Sequence, residues 1–139
     1  MVKVKLKSAL IVDDDETSTF LNKVLLKNLN SDITVNTAAN GQEAIRVLQN
    51  AFKDKEFGGC LLLLDVQMPT LDGWEFLQIY EETFSQMQRK QIVLLLLSNH
   101  IGSEIDQKVA QFKSVKACLT KPLTNKGLKH IVKEYFSSF

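Results

Sequence analysis

The sequence predicts an α/β fold with three layers, in which a parallel five-stranded sheet is doubly wound and covered by helices on both faces. Two observations lead to this prediction. The strongest strand-like segments are continuous apolar runs rather than alternating ones, which is typical of parallel strands buried on both faces. Segments with helical periodicity separate these runs, so strand and helix alternate five times, and such alternation favours right-handed crossovers onto one sheet.

The predicted strands are short runs of apolar residues. Four of them are apolar runs, whereas the second alternates between apolar and polar residues and is the weakest. In chain order they cover residues 9–12, 33–37, 60–64, 92–97 and 115–119. For five such strands we expect the flavodoxin-like order 2-1-3-4-5, in which functional groups gather at the carboxyl ends of strands 1 and 3.

Apolar residues at helical spacing follow each predicted strand. Two of these segments begin with a capping pattern, formed by Asn40 with Glu43 and by Asp72 with Glu75. The apolar positions are Phe20, Leu21, Val24 and Leu25; Ala44, Ile45 and Leu48; Trp74, Leu77, Tyr80 and Phe84; Ile105, Val109 and Phe112 after Ser103; and Leu128, Ile131, Val132, Tyr135 and Phe136 after Thr124. Five helices are therefore expected.

Length and composition indicate one globular domain. The chain has 139 residues, a usual size for a single domain, and we expect residues 1–139 to form one unit with its core at about 8–136. Lys and Arg number 17 against 16 Asp and Glu, which gives a net charge of +1. Charge therefore gives no reason to expect nucleic acid or a membrane surface as a partner.

Hydropathy and cysteine usage point to a cytoplasmic protein. The longest apolar run, residues 92–97, is far shorter than the ~20 residues of a membrane span. Cys60 and Cys118 lie in or beside apolar runs, without a second Cys or a His at metal-ligand spacing. We expect both to be reduced thiols, as is usual in the cytoplasm.

Carboxylates follow two predicted strands that should be neighbours in the sheet. Asp13, Asp14 and Asp15 come directly after strand 1, and Asp65 comes after strand 3. Carboxylates brought together repel one another unless their pKa values rise or a cation lies among them. Mg²⁺ suits such a site, because it binds one or two carboxylates, water and phosphate oxygens. The alternative is a solvated acidic loop and an unrelated Asp65.

Ser98 and Lys121 extend this pattern to the other strands. Ser98 follows strand 4 and Lys121 follows strand 5, so both should lie at the same edge of the sheet as Asp65. Taken alone, each has an ordinary interpretation as a loop hydroxyl or a surface lysine. Together they suit phosphoryl transfer to Asp65, because such transfer depends on positioning and on neutralising the charge of the phosphoryl oxygens.

These residues carry a resemblance to a known family. The phosphoacceptor motif of response-regulator receiver domains resembles LDVQMPTLDG, at residues 64–73. The family's acid pair resembles IVDD at residues 11–14, and its lysine and cis-proline resemble Lys121 and Pro122. The resemblance covers about residues 8–136 and implies a single-domain response regulator of two-component signalling.

The resemblance implies a phosphorylation-dependent switch. The phosphoryl donor would be a histidine kinase or a histidine phosphotransfer protein, and the signal would pass to a downstream protein, whose identity is unknown, by protein–protein contact. Beyond catalysing its own phosphorylation and slow dephosphorylation, such a domain is not an enzyme.

The resemblance also implies roles for individual residues. Asp65 is the phosphoacceptor and a ligand of Mg²⁺. Asp14 is a direct metal ligand, Asp13 reaches the metal largely through water, and Gln67 contributes its backbone carbonyl. Lys121, which precedes the cis peptide bond at Pro122, contacts the phosphoryl group, and Ser98 is the switch hydroxyl.

Two positions depart from the family pattern, and two more are positions that tune the switch in this family. Cys118 stands where the family usually has an aromatic residue whose rotamer reports phosphorylation. Asn99 stands where a small residue usually follows the switch hydroxyl. Gln67 and His100 occupy the two positions that, in this family, tune how fast water removes the phosphoryl group.

Two other functions are compatible with parts of the sequence. Residues 13–17 spell Asp-x-Asp-x-Thr and residues 97–99 spell Leu-Ser-Asn, which resemble motifs of haloacid-dehalogenase-type phosphatases. Those enzymes place an acid pair after their lysine, whereas the only acid after Lys121 is Glu134. The second alternative is a receiver-like interaction module that does not accept phosphate.

Overall fold

The five predicted strands form one parallel sheet. The computed structural model of the chain describes residues 3–66, 73–99 and 102–137. The strands are β1 (Ser8–Val12), β2 (Thr34–Ala38), β3 (Cys60–Asp65), β4 (Ile92–Ser98) and β5 (Val115–Thr120). All pairs are parallel and the order is β2-β1-β3-β4-β5, which confirms the predicted topology.

Six helices, one more than predicted, lie in the described residues. They are α1 (Glu16–Leu29), α2 (Gly41–Ala51), α3 (Gly73–Thr83), α4 (Gln86–Arg89), α5 (Ser103–Val109) and α6 (Asn125–Tyr135). The additional helix α4 begins at a capping box in which Ser85 and Gln88 bond each other's backbone N–H. Phe84 and Phe112, which the apolar spacing had grouped with helices, lie just beyond the ends of α3 and α5.

Both faces of the sheet are buried, which explains the continuous apolar runs. Along β3, Leu62 and Leu64 pack into a cluster with side chains of α2 and α3. Their neighbours Leu61 and Leu63 point to the opposite face and pack with side chains of α1 and α6. Because successive residues of a strand face opposite sides, a strand that is covered on both sides needs an apolar residue at every position.

The apolar face expected of α1 is mostly exposed. Phe20, Leu21 and Val24 are 65%, 54% and 39% exposed, whereas Asn22 and Leu26 are buried against the sheet. The helix carries apolar residues on two sides, and the side with Leu26 packs on the core. Phe20, Leu21 and Val24 are called the α1 patch below.

Polar side chains cap several helices as the sequence indicated. The Asn40 side chain accepts a hydrogen bond from the Glu43 N–H at 2.9 Å, and Thr124 accepts one from the Gly127 N–H at 3.0 Å. The Glu43 carboxylate accepts from the Ala39 N–H rather than from that of Asn40, so the reciprocal half of the box is displaced by one residue. The expected cap at Asp72 lies outside the described residues.

The described chain also shows how its two ends are held. Val4 forms a parallel bridge with Phe136, and the Ser137 N–H donates to the Val4 carbonyl at 2.9 Å.

In the residues the structure covers, no helix has the length and apolar character that crossing a bilayer requires.

Candidate metal and phosphoacceptor site

The candidate residues meet at the carboxyl edge of the sheet. Val12 is in register with Leu64, so Asp13 and Asp65, the next residues, are level with each other. Asp65 is in register with Leu97, and Ser98 with Thr120, which places Ser98 and Lys121 at the same edge. Parallel pairing of β1, β3, β4 and β5 therefore brings these residues together, and a register shift at Leu94 and Leu95 in the β4–β5 pair does not separate them.

Three carboxylates converge at this edge. One oxygen from each of Asp13, Asp14 and Asp65 lies within 4.8 Å of the other two. Asp13 and Asp65 are buried, whereas Asp14 is exposed to solvent. Two buried carboxylates and a third at the rim form an acidic pocket that is open to solvent at Asp14.

Asp13 is the least satisfied of the three carboxylates. Its Oδ1 accepts a hydrogen bond from the Asp15 N–H at 2.9 Å, but its buried Oδ2 finds no hydrogen-bond donor among the described residues. Burial raises the pKa of Asp13 to about 6; the Asp15 N–H and Lys121 oppose this rise, and the Asp65 carboxylate adds to it. A buried oxygen without a donor costs roughly 1–3 kcal/mol.

This donor set fits a hard divalent cation. Mg²⁺ takes oxygen ligands and keeps several waters, so an open pocket with three carboxylates and one unsatisfied oxygen meets its requirements. A bound cation would satisfy Asp13 Oδ2 and remove the repulsion between Asp13 and Asp65.

Lys121 forms the other side of the pocket. Its Nζ lies 3.0 Å from Asp65 Oδ1 and is mostly buried, so the pair is shielded from solvent. The backbone N–H of Lys121 donates to the Ser98 carbonyl at 2.8 Å, which holds the end of β5 against the end of β4. The Lys121–Pro122 peptide bond is cis, as the resemblance implied.

The remaining predicted positions fall in three groups. Ser98 is buried at the end of β4, beside the pocket, and Asn99 is exposed. Cys118 is half-buried in β5, level with Leu96, and burial raises the pKa of its thiol. Gln67 and His100 lie outside the described residues. The two cysteines are free thiols.

Asp15 has a role that the sequence had not revealed. It was counted only as part of an acidic run, but its side chain caps α1 by accepting from the Thr17 N–H at 3.1 Å and the Ser18 hydroxyl at 2.9 Å. Its N–H holds Asp13 Oδ1. An Asp directly before a helix is a usual N-cap, so the signal was present in the sequence.

Comparison with known proteins identifies the family. A protein-family model described as the response regulator receiver domain matches residues 9–133. The chain belongs to this family. Receiver domains are signalling domains that interact with histidine kinases or phosphotransfer proteins. They bind Mg²⁺ at an acidic pocket, and Asp13, Asp14 and Asp65 form such a pocket in this receiver domain.

Individual relatives agree with this assignment. The receiver domain is 33% identical over 119 residues to a transcriptional regulatory protein CpxR homolog of Haemophilus influenzae, covering 86% of this chain and 45% of that protein. It is 27% identical over 139 residues to the two-component response regulator ARR22 of Arabidopsis thaliana, covering 99% of this chain and 89% of that protein. The chain thus spans less than half of one relative and most of the other.

Solved structures share the fold. A two-component response regulator from Cytophaga hutchinsonii superposes with a TM-score of 0.83 at 23% identity, covering 94% of this receiver domain and 97% of that chain. The chemotaxis protein CheY4 of Vibrio cholerae superposes with a TM-score of 0.73 at 25% identity, covering 94% and 99%.

Proposed function

We propose that this receiver domain is a phosphorylation switch in which Asp65 accepts a phosphoryl group from the phosphohistidine of a histidine kinase or a histidine phosphotransfer protein. The observation that carries the proposal is the buried Asp65 carboxylate, which is paired with Lys121 at 3.0 Å and converges with Asp13 and Asp14. In this proposal the signal passes to a downstream protein by protein–protein contact.

The transfer step balances without any further reactant. An oxygen of Asp65 forms a bond to phosphorus while the bond from phosphorus to the donor's imidazole nitrogen breaks, and the imidazole keeps the electron pair and takes up a proton. Slow hydrolysis by water returns Asp65 and inorganic phosphate. The domain thereby catalyses only its own phosphorylation and dephosphorylation.

Each residue of the pocket then has a task. Mg²⁺, held by Asp13, Asp14, Asp65 and the Gln67 backbone carbonyl, would neutralise negative charge on the phosphoryl oxygens. Lys121 already contacts Asp65 and would stay within reach of a second phosphoryl oxygen.

The remaining side chains position the group or regulate it. The Ser98 hydroxyl, at the end of β4, would contact a third phosphoryl oxygen and so change its position on phosphorylation. Gln67 and His100 would set how fast water removes the phosphoryl group, and Asn99, next to Ser98, would crowd the phosphoryl site or hydrogen-bond to it.

The α1 patch supports a protein as the phosphoryl donor. Helix α1 begins two residues after Asp14, so its first turns border the carboxyl edge of the sheet. A donor that brings its imidazole to Asp65 must cover this border. Exposed apolar side chains grouped on one surface are typical of protein interaction sites. We therefore propose that the donor packs on Phe20, Leu21 and Val24.

Labelling with a small phosphodonor tests the proposed function. Acetyl phosphate should label the wild-type chain in a Mg²⁺-dependent reaction, and Asp65→Asn should abolish stable labelling while leaving the fold unchanged by circular dichroism. Asp54→Asn, which removes an exposed carboxylate in the loop after α2, is the matched control and should be labelled normally.

Two results would contradict the proposal. Full labelling of Asp65→Asn, with phosphate on Asp13, would favour the phosphatase-type alternative. A folded wild-type chain that binds Mg²⁺ but takes no phosphate from acetyl phosphate or a phosphoramidate would indicate an interaction module without phosphorylation.

A further inference from the structure

Trp74 bridges two helices that follow the site. It is the second residue of α3 and the only tryptophan in the chain. Its ring stacks on that of Phe112, with centroids 6.1 Å apart and 22° between the ring planes, and Lys108 Nζ lies 5.3 Å from the Trp74 ring centroid. Lys108 belongs to α5 and Phe112 to the loop after it. These three residues are called the Trp74 clasp below.

The α3 side of the clasp is fixed to the phosphoacceptor strand. The Gly73 N–H donates to the carbonyl of Val66, the residue after Asp65, at 3.1 Å. The two backbones are so close that a Cβ at Gly73 would lie 2.6 Å from Val66 Cα. Phe76 and Tyr80 are buried in the core. The start of α3, and with it Trp74, is therefore held in a set position relative to Asp65.

The α5 side is held much more weakly. Helix α5 has seven residues and none of them is buried. Gly102 occupies its N-cap position, where no side chain accepts from the first turn, and a Cβ at Gly102 would meet no atom within 4 Å. A helix with few buried contacts and no cap moves at low energetic cost. The clasp is thus an important contact in setting where α5 lies.

A large side chain at position 118 could also hold α5 in place, but Cys118 is too small to do so. It packs on the same side of the sheet as Trp74, Val109 and Phe112, but its thiol is half-buried and much smaller than an aromatic ring. Among the described residues on that side, Trp74 is the large ring that connects α5 to α3, the helix whose start is fixed next to Asp65.

We propose that the Trp74 clasp holds α5 in its resting position and is loosened when Asp65 is phosphorylated. The proposal rests on the proposed function and names how the state of the site reaches α5. The backbone after Ser98 leads into α5, so a shift of Ser98 toward the phosphoryl group pulls on the weakly held helix, while Trp74 stays with α3. The cleft of about 210 Å³ that the clasp lines together with Glu75, Gln78 and Gln111 would then change shape.

The strength of the clasp and the affinity of the domain for a phosphoryl mimic are thermodynamically linked. If the clasp stabilises the resting arrangement, weakening it must favour the activated one by the same free energy, and the affinity for a phosphoryl mimic must rise. Removing the Lys108 cation from the face of the half-buried Trp74 indole should tighten binding by about two- to fivefold.

The experiment is calorimetric titration of beryllofluoride with Mg²⁺ into matched variants. Lys108→Met removes the cation but keeps a long side chain at an exposed position, so folding is not at risk. Lys108→Arg keeps the cation and should behave as wild type. Lys113→Met makes the same charge change at an exposed lysine that does not line the cleft and is the control.

We expect tighter binding only for Lys108→Met, and we expect its α5 backbone amides, without beryllofluoride, to shift in NMR spectra toward their positions in the wild-type complex. Trp74 fluorescence should change on beryllofluoride binding in the wild type and change less in Lys108→Met. Equal affinities for Lys108→Met and Lys113→Met, with α5 amides unmoved, would overturn the clasp and leave the proposed function standing. A wild-type chain that binds no beryllofluoride would overturn the proposed function itself, and the clasp with it.

Discussion

At the scale of single residues, Asp13 is held in an environment that disfavours its charge. Its Oδ1 is satisfied by the Asp15 N–H, but its buried Oδ2 meets no donor in the part of the chain that the structure describes, and the Asp65 carboxylate lies close by. A cation, or a phosphoryl group together with its cation, would relieve the repulsion between the Asp13 and Asp65 carboxylates. Without a metal ion, the acidic pocket therefore carries an unfavourable electrostatic free energy.

Neutralising Asp13 should therefore stabilise the metal-free fold. Burial raises the pKa of Asp13 from 3.8 to about 6, so the folded chain keeps this proton at a higher pH than the unfolded chain does. Wild-type stability must then fall as pH rises from about 4 to about 6. With a chelator present, the Asp13→Asn variant should exceed wild type in unfolding free energy by about 1–3 kcal/mol at pH 7, and the two should converge near pH 4.

Denaturant unfolding at several pH values measures this difference. Asp32→Asn, which removes an exposed carboxylate from the turn before β2, is the control and should leave the pH dependence of stability unchanged. An Asp13→Asn variant that is less stable than wild type at pH 7 would be incompatible with a strained Asp13.

At the scale of elements, α1 carries three large apolar residues, Phe20, Leu21 and Val24, on the side that faces away from the sheet. Asn22 is buried and Phe20 is 65% exposed. A helix that served only the core would be expected to show the reverse. The exchange is understandable if the outer side of α1 is covered by a partner during phosphotransfer.

Disrupting the α1 patch should slow phosphoryl transfer from a protein donor but not from a small phosphodonor. Leu21→Asn should reduce the rate from a phosphohistidine protein at limiting concentration by about fivefold or more, the effect of losing a central apolar contact. Labelling by acetyl phosphate, which needs no docking surface, should be unchanged.

Met87→Ser is the control for this experiment. Met87 is 80% exposed but lies on α4, which leads into the opposite end of the sheet. Equal loss of transfer in both variants, or equal loss with acetyl phosphate, would rule out donor docking on α1.

The elements also show what the sequence can and cannot reveal. Strands β3 and β4 were predictable because burial on both faces requires apolar residues throughout, and the capped start of α2 was visible at Asn40. The covered side of α1 was not predictable, because apolar residues lie on two sides and only tertiary packing decides between them. Helix α4 was missed although its Ser85 and Gln88 signal is present, since one turn gives no periodicity.

Some features of the site could likewise be predicted from the sequence, and others could not. The convergence of Asp13, Asp65, Ser98 and Lys121 follows from strand order alone, since parallel strands end at one edge. The unsatisfied oxygen of Asp13 depends on how the loop before α1 turns, and no sequence pattern specifies that.

At the scale of the whole molecule, the site joins the ends of strands that are distant in sequence. A ligand bound there therefore stabilises the entire sheet rather than one loop. Mg²⁺ at ten times its dissociation constant should raise the unfolding free energy by about 1.4 kcal/mol through mass action.

Thermal unfolding in increasing MgCl₂ tests this coupling, with NaCl at equal ionic strength as the control. We expect Asp14→Ala to reduce the Mg²⁺ effect more than Asp13→Ala does, because in the proposed site Asp14 binds the metal directly and Asp13 acts largely through water. Undiminished stabilisation in an Asp14→Ala, Asp65→Ala double variant would show that Mg²⁺ acts elsewhere.

The bridge between Val4 and Phe136 has a practical consequence for engineering this domain. Helix α6 runs back from the carboxyl edge, so both ends of the described chain leave the molecule side by side at the amino edge, opposite Asp65. A short linker could join them into a circular permutant opened in the loop between α2 and β3. A surface tether or a fused reporter attached at either end would leave the acidic pocket and the α1 patch exposed.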